Sequence, residues 1–235
     1  MNCCGRLFRS SVGKKLVMAA TGLVLVLFAF GHMAGNLQIF LGPEAINRYA
    51  HFLQSNKELL WIARLVLLTC VVLHIWSALR LTLENRAARP AGYEGNPAPP
   101  EASFASRTMI MSGLIIAAFV IYHLLHYTAC VQAINFTGTD FTSLTEKTEL
   151  GLERHDVYRM VVIGFRQPVV ALFYVVAVGL LCLHLSHGIQ AMFQSLGWMN
   201  HRWRPLLLKL SPTLAWILFL GYVSVPLAVL LRLVG

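Results

Sequence analysis

Residues 16–41, LVMAATGLVLVLFAFGHMAGNLQIFL, decide the fold. They contain no Asp, Glu, Lys or Arg, and at about 1.5 Å per residue a helix of this length crosses a hydrocarbon core of about 30 Å. One ionisable side chain interrupts the run, His32. Four more apolar runs follow, at residues 59–83, 109–134, 169–193 and 206–233. The second, third and fourth also carry histidines, His74, His123 and His184 among them; the fifth carries none. The expected architecture is an all-α integral membrane protein, one membrane domain over residues 1–235 with five transmembrane helices, the first four forming a bundle.

Composition agrees. The chain is 57% hydrophobic and 12% charged, whereas a soluble domain holds about 25% charged residues. The formal charge of +9 does not indicate nucleic acid, because the basic residues lie in short stretches beside the apolar runs, where they set topology. Cys70, Cys130 and Cys182 are isolated within apolar spans, and Cys3 and Cys4 sit in an ordinary tail. No C-x-x-C or C-x-x-C-H pattern points to a zinc ribbon or covalently attached haem.

Charge gives the orientation. The N-terminal tail, the second loop and the fourth loop hold eleven Lys and Arg against three acids, while the opposite side holds eight against seven. The positive-inside rule then places the N-terminus in the cytoplasm and the C-terminus outside, in a cell inner (plasma) membrane. The linker 84–108, with Pro90, Pro97, Pro99 and Pro100, is a cytoplasmic connection suited to docking a soluble partner. Loop 135–167 is the largest external element, and its stretch EKTELGLERHD (146–156) is expected to form a short surface helix. No internal repeat stands out.

A neutral imidazole within hydrocarbon needs a partner. Counting residues from the span centres puts His32 and His123 toward the outer side and His74 and His184 toward the inner side. Two imidazole pairs at two depths suit two b-type haems, each held by ligands from facing helices. Gly22 and Gly113 stand ten residues before His32 and His123, at the inner level, where a missing side chain leaves room for a porphyrin face. Small-residue helix packing is the competing explanation. Arg64 stands ten before His74, at the outer level, where a haem propionate would balance a cation otherwise costing about 2.5–3.5 kcal/mol to insert; snorkelling to the interface is its alternative. His126 and His187 each follow a histidine by three residues on the same helix face, and spacing does not choose within either doublet.

Four stretches carry a resemblance: SSVGKKLVMAATGLVLVLFAFGHMAGNLQIFLG from Ser10, ARLVLLTCVVLHIWSALRL from Ala63, VIYHLLHY from Val120 and LLCLHLSHGIQAMFQSLG from Leu180. Together they resemble the five-helix, dihaem cytochrome b anchor of succinate dehydrogenases and fumarate reductases (succinate:quinone oxidoreductases). The resemblance implies that the first histidine of each doublet is the ligand, that His32 pairs with His123 on the distal haem, and that His74 pairs with His184 on the proximal haem. It further implies a flavoprotein and an iron–sulfur protein as cytoplasmic partners, with electrons passing through two haem b groups to a quinone, menaquinone being the expected species. The chain would be the quinone-reactive subunit and would perform no succinate chemistry itself. Some fumarate reductases of this family carry a glutamate two residues before the last ligand. Cys182 stands there instead, which favours succinate oxidation over a quinol-oxidising fumarate reductase anchor. Glu44, Tyr49, His51 and Glu58 in the first external loop are quinone-site candidates, against the plainer reading of solvated loop residues. A haem-free transporter using these histidines for proton relay is the most distant alternative.

Overall fold

The computed structural model describes residues 8–88, 103–148 and 151–235. The Cys3–Cys4 tail and the four prolines of the linker lie outside the described residues. Among the described residues five helices are long and apolar enough to cross a membrane, so the chain is an all-α multi-pass membrane protein in its coarse architecture. They contain α1 (Ser11–Leu37), α3 (Lys57–Ala87), α4 (Met109–His123, which reaches spanning length only with the turn that carries it on to Thr128), α6 (Pro168–Ser195) and α7 (Arg204–Leu230). Among the described residues two helices of intermediate length lie between them, α2 (Pro43–Ser55) and α5 (Val157–Phe165), besides a single turn at Phe104–Arg107.

The helix ends follow local chemistry. Ser10 accepts a hydrogen bond from the Gly13 amide at 3.0 Å and so caps α1. Pro168 opens α6 and Pro205 is the second residue of α7, positions where proline's missing N–H costs nothing. Large side chains on the long helices, Leu27, Leu65, Leu68 and Leu220 among them, are well exposed. An aqueous surface would not tolerate that pattern, whereas lipid does.

Two sequence expectations are corrected. The third apolar run does not continue as a helix to residue 134. Directly after His123 it widens into a π-helical turn, Leu124–Thr128, with the Ala129 amide reaching back to Leu124 and the Val131 amide to Leu125. Cys130 then takes a positive φ of 52°, which ends the run although its side chains remain apolar. The stretch 146–156 is not a surface helix. It supplies two antiparallel strands, β1 (Thr145–Lys147) and β2 (Glu153–His155), in a register that sets Glu146 opposite Arg154. Gly151, at φ 73°, lies between the strands in a left-handed conformation that breaks helical continuity and suits a reversal.

The chain divides into two compact units, to both of which every long helix contributes. The first comprises 1–28, 64–114 and 182–215; the second comprises 29–63, 115–181 and 216–235. In the first, buried Lys14 donates to both carboxylate oxygens of Glu84 at 2.6 and 2.7 Å and to the Arg9 carbonyl, tying α1 to α3. In the second, an apolar core gathers Ile39, Ile46, Val161, Phe165, Val170, Tyr174 and Val229. Fully buried Asn47 on α2 bonds Asp156 at 3.0 Å and accepts from the Tyr158 amide at 2.8 Å, so α2 is held to the start of α5. Arg154, nearly buried, joins Glu44 on α2 to Glu146 on β1. The Arg154 guanidinium holds the Glu44 carboxyl below the usual carboxylate range, and its two acidic partners hold Arg154 more firmly protonated.

Candidate functional site

Each unit contains one facing pair of histidines. In the first unit the rings of His74 on α3 and His184 on α6 lie 6.5 Å apart between centroids, inclined by 61°. In the second, the rings of His32 on α1 and His123 on α4 lie 5.7 Å apart, inclined by 80°. A metal–imidazole bond of about 2.0–2.1 Å places two rings trans across one ion at roughly 6 Å between centroids. The two observed spacings bracket that value. All four rings are only partly buried.

The surroundings of the first pair are built from small polar groups. His74 Nδ1 lies 3.1 Å from the Met18 carbonyl and 3.4 Å from the Thr21 hydroxyl. His184 Nδ1 lies 3.3 Å from the Ser112 hydroxyl, which itself donates to the Met109 carbonyl at 3.1 Å. A Cβ on Gly22 would come within 3.3 Å of His74 Cε1, and one on Gly113 within 3.3 Å of His184 Cε1. The space left by each glycine is thus taken by an imidazole edge.

Aromatic rings surround the second pair. His123 Nδ1 lies 3.3 Å from the Tyr174 hydroxyl, which also lies 3.1 Å from Nδ1 of His126. Phe119, Tyr127 and Tyr174 all meet His123 with centroids 5.9 to 6.1 Å away. Tyr222 sits 6.2 Å from His32 and donates to the Ala29 carbonyl at 2.7 Å. The doublet ambiguity is visible in these contacts. His123 faces His32, whereas His126 is fully buried and stacks on Tyr127 at 4.0 Å. Its Nε2 has no protein partner among the described residues. The π-turn after His123 separates these two roles, as widened turns at functional positions often do. In the fourth span, His184 faces His74, while His187 is only partly buried.

The remaining candidates separate by position. Tyr49 on α2 lies over Gly35 of α1, where a Cβ would sit 3.1 Å from the tyrosine oxygen. Gly35 is three residues beyond His32, one helical turn away. Glu44 is committed to Arg154. His51 and Glu58 are exposed, the former within 3.3 Å of the Ser55 hydroxyl. Arg64 occupies an exposed position on α3. Tyr174 and the pairs Met18/Thr21 and Met109/Ser112 are not apparent from the histidine spacing. The signal for the latter was in the sequence: MAATG (18–22) and MIMSG (109–113) share Met, a hydroxyl residue and Gly at identical offsets. Among family models, curated proteins and solved structures, nothing matches this chain.

Proposed function

We propose that this chain is the dihaem cytochrome b anchor of a succinate:quinone oxidoreductase, with its N-terminus in the cytoplasm and the first four long helices forming the haem bundle. The observation that carries the reading is the arrangement of one imidazole from each of those helices as two facing pairs at a spacing suited to a shared ion. His32 with His123, and His74 with His184, would hold the two haem irons. The donor set favours haem over a bare ion. No group of three or more His, Cys, Asp or Glu that could hold a metal occurs among the described residues, and two imidazoles alone leave a bare transition ion short of ligands. A porphyrin brings its own four nitrogens. The resemblance of the four quoted stretches to the dihaem anchors supports the same assignment.

When bound, the two haems supply one-electron steps between a cytoplasmic iron–sulfur protein, itself fed by a flavoprotein, and a membrane quinone. The residues of this chain hold the ligand rings, keep water from the apolar spans and present a hydroxyl toward quinone. Tyr49 is the strongest candidate for that last role, being packed one turn from His32, while Glu44 is engaged by Arg154. Cys182, buried on α6, is no proton carrier in the manner of a glutamate, which supports succinate oxidation as the working direction.

A dithionite-minus-air difference spectrum of the chain purified with its co-purifying partners tests the reading. Two b-type contributions are expected. His32→Ala should abolish one and His74→Ala the other. A purified wild-type complex without haem absorbance, or one unchanged by both substitutions, would overturn the proposal.

A further inference from the structure

The first unit contains the same seat twice. On α1, Met18, Thr21 and Gly22 receive the ring of His74; on α4, Ser112 and Gly113 receive the ring of His184, with the Met109 carbonyl accepting from Ser112. The offsets are identical, Met four residues before the glycine and the hydroxyl residue one before, and each glycine precedes the histidine of its own helix by ten. The two seats therefore repeat one local device on α1 and α4, and each serves the histidine of the next long helix along the chain.

The hydrogen-bond directions in these seats are fixed by donor arithmetic. Thr21 donates its single hydroxyl proton to its own helix, to the Val17 carbonyl at 2.7 Å, with the Met18 carbonyl at 3.2 Å. Ser112 donates to the Met109 carbonyl at 3.1 Å. Each hydroxyl thus meets the neighbouring imidazole with a lone pair, and a backbone carbonyl only ever accepts. At His74 the Met18 carbonyl requires the proton on Nδ1, and at His184 the same tautomer follows when Ser112 keeps its proton on the Met109 carbonyl. A neutral imidazole protonated at Nδ1 has its lone pair at Nε2, which is the tautomer a metal ligand needs.

We propose that Thr21 and Ser112 are corresponding positioning residues that, with the Met18 carbonyl at His74, hold His74 and His184 in the Nδ1–H form and in a fixed mutual orientation for one iron. The inference rests on the haem reading and extends it. The glycine sets how closely each ring approaches its helix, and the hydroxyl, joined at His74 by the Met18 carbonyl, sets its rotation. Withdrawing the hydroxyl removes an Nδ1 acceptor, so the ring gains rotational freedom and its Nε2 becomes a less basic ligand. Outer-sphere partners of metal-bound histidines typically change metal affinity by about 10–100-fold when removed.

The test uses the full chain purified with its partners, as Thr21→Val, Ser112→Ala, their combination, and Thr21→Ser. The readouts are the low-spin ferric EPR signals, which depend on the mutual orientation of the axial rings, and redox titration of each haem. Each single substitution should move the signal of the same one haem, raise its midpoint potential and speed its loss in detergent by about 10-fold, at the lower edge of that range. The double substitution should do more, and Thr21→Ser should restore wild-type behaviour. Shifts confined to different haems, equal shifts in both haems, or none at all would overturn the positioning role while leaving two bis-histidine haems in place. Absence of haem from the wild-type complex would instead overturn the reading beneath it.

Discussion

The two histidine pairs are held by different chemistry. His74 and His184 each lean on a hydroxyl, joined at His74 by a backbone carbonyl, with a glycine beside the ring. His123 instead meets one phenol shared with a second, buried histidine, inside a cluster of aromatic rings. The first arrangement repeats a hydroxyl and a glycine on two helices and is nearly all main chain or short side chains. It tolerates little added volume, but each hydrogen bond is dictated by the helix itself. The second depends on side chains arriving from several elements, Tyr174 on α6 and Tyr222 on α7 included. A pair defined by a repeated backbone device should respond to single substitutions identically on both sides. A pair defined by a tyrosine shared with a neighbour should respond on one side only.

Bulk at the glycines gives the largest expected effect. Gly22→Leu and Gly113→Leu should each remove the haem assigned to His74 and His184, leaving about half the reduced b-band, because a Cβ alone already reaches within 3.3 Å of each ring. Gly31→Leu is the control. It lies on the same helix as Gly22, a Cβ added there would meet no atom within 4 Å, and the variant should retain both haems. Loss of the haem in Gly31→Leu, or retention in Gly22→Leu, would remove the close-approach argument.

The ion pairs sharpen the comparison at the next level. Lys14 is buried against a single carboxylate, that of Glu84, which is 40% exposed. Glu84→Ala strands the cation and should destabilise the first unit by about 2 kcal/mol, less than the ~3–5 of a fully buried pair because Glu84 is partly solvated. Lys14→Met should cost less, since the carboxylate it leaves behind can hydrate. Thermal unfolding in detergent reads the difference, and a larger loss in Lys14→Met would reverse the assignment. Tyr174→Phe comes below this. It should alter the EPR signal of the haem assigned to His32 and His123 without moving the other, whereas equal changes in both would show a general loosening.

Four of the five spans and the grouping of the rings were legible in the sequence because both follow from the length and composition of the apolar runs. Residues 16–41 contain no charge and one histidine, and counting from the centres of the first and third runs groups His32 with His123, whose rings lie 5.7 Å apart. What was not legible depended on partners far along the chain. The run 109–134 stays apolar past Thr128, and only a wide turn and a positive φ at Cys130 end it. The stretch 146–156 has helix-forming charges, yet the pairing of Glu146 with Arg154, and of Arg154 with Glu44 on α2, favours a hairpin. The seats were legible in principle. MAATG and MIMSG are visible as a pattern, but nothing in one sequence says that Thr21 meets a ring 53 residues away.

Acid gives the smallest and most localised effect. Glu44 is held below its ordinary value, first by its hydrogen bond from Arg154 and then by the charges of Arg154 and Arg48. A carboxyl depressed in the folded state contributes stability that is complete above its unfolded value, about 4.3, and is lost as pH falls through the folded value. The melting temperature of the complex should therefore fall as pH is lowered through and beneath the carboxylate range. Asp140, held low by Thr142, adds a slope of the same sign, so the absolute curve is not diagnostic. The difference between wild type and Arg154→Gln is. With the guanidinium gone, Glu44 returns toward its ordinary value, and the gap between the two curves should be widest near neutrality and close as acid protonates Glu44. A gap that is constant with pH would mean that Arg154 braces α2 against β1 by packing alone, and that its charge contributes nothing to the second unit.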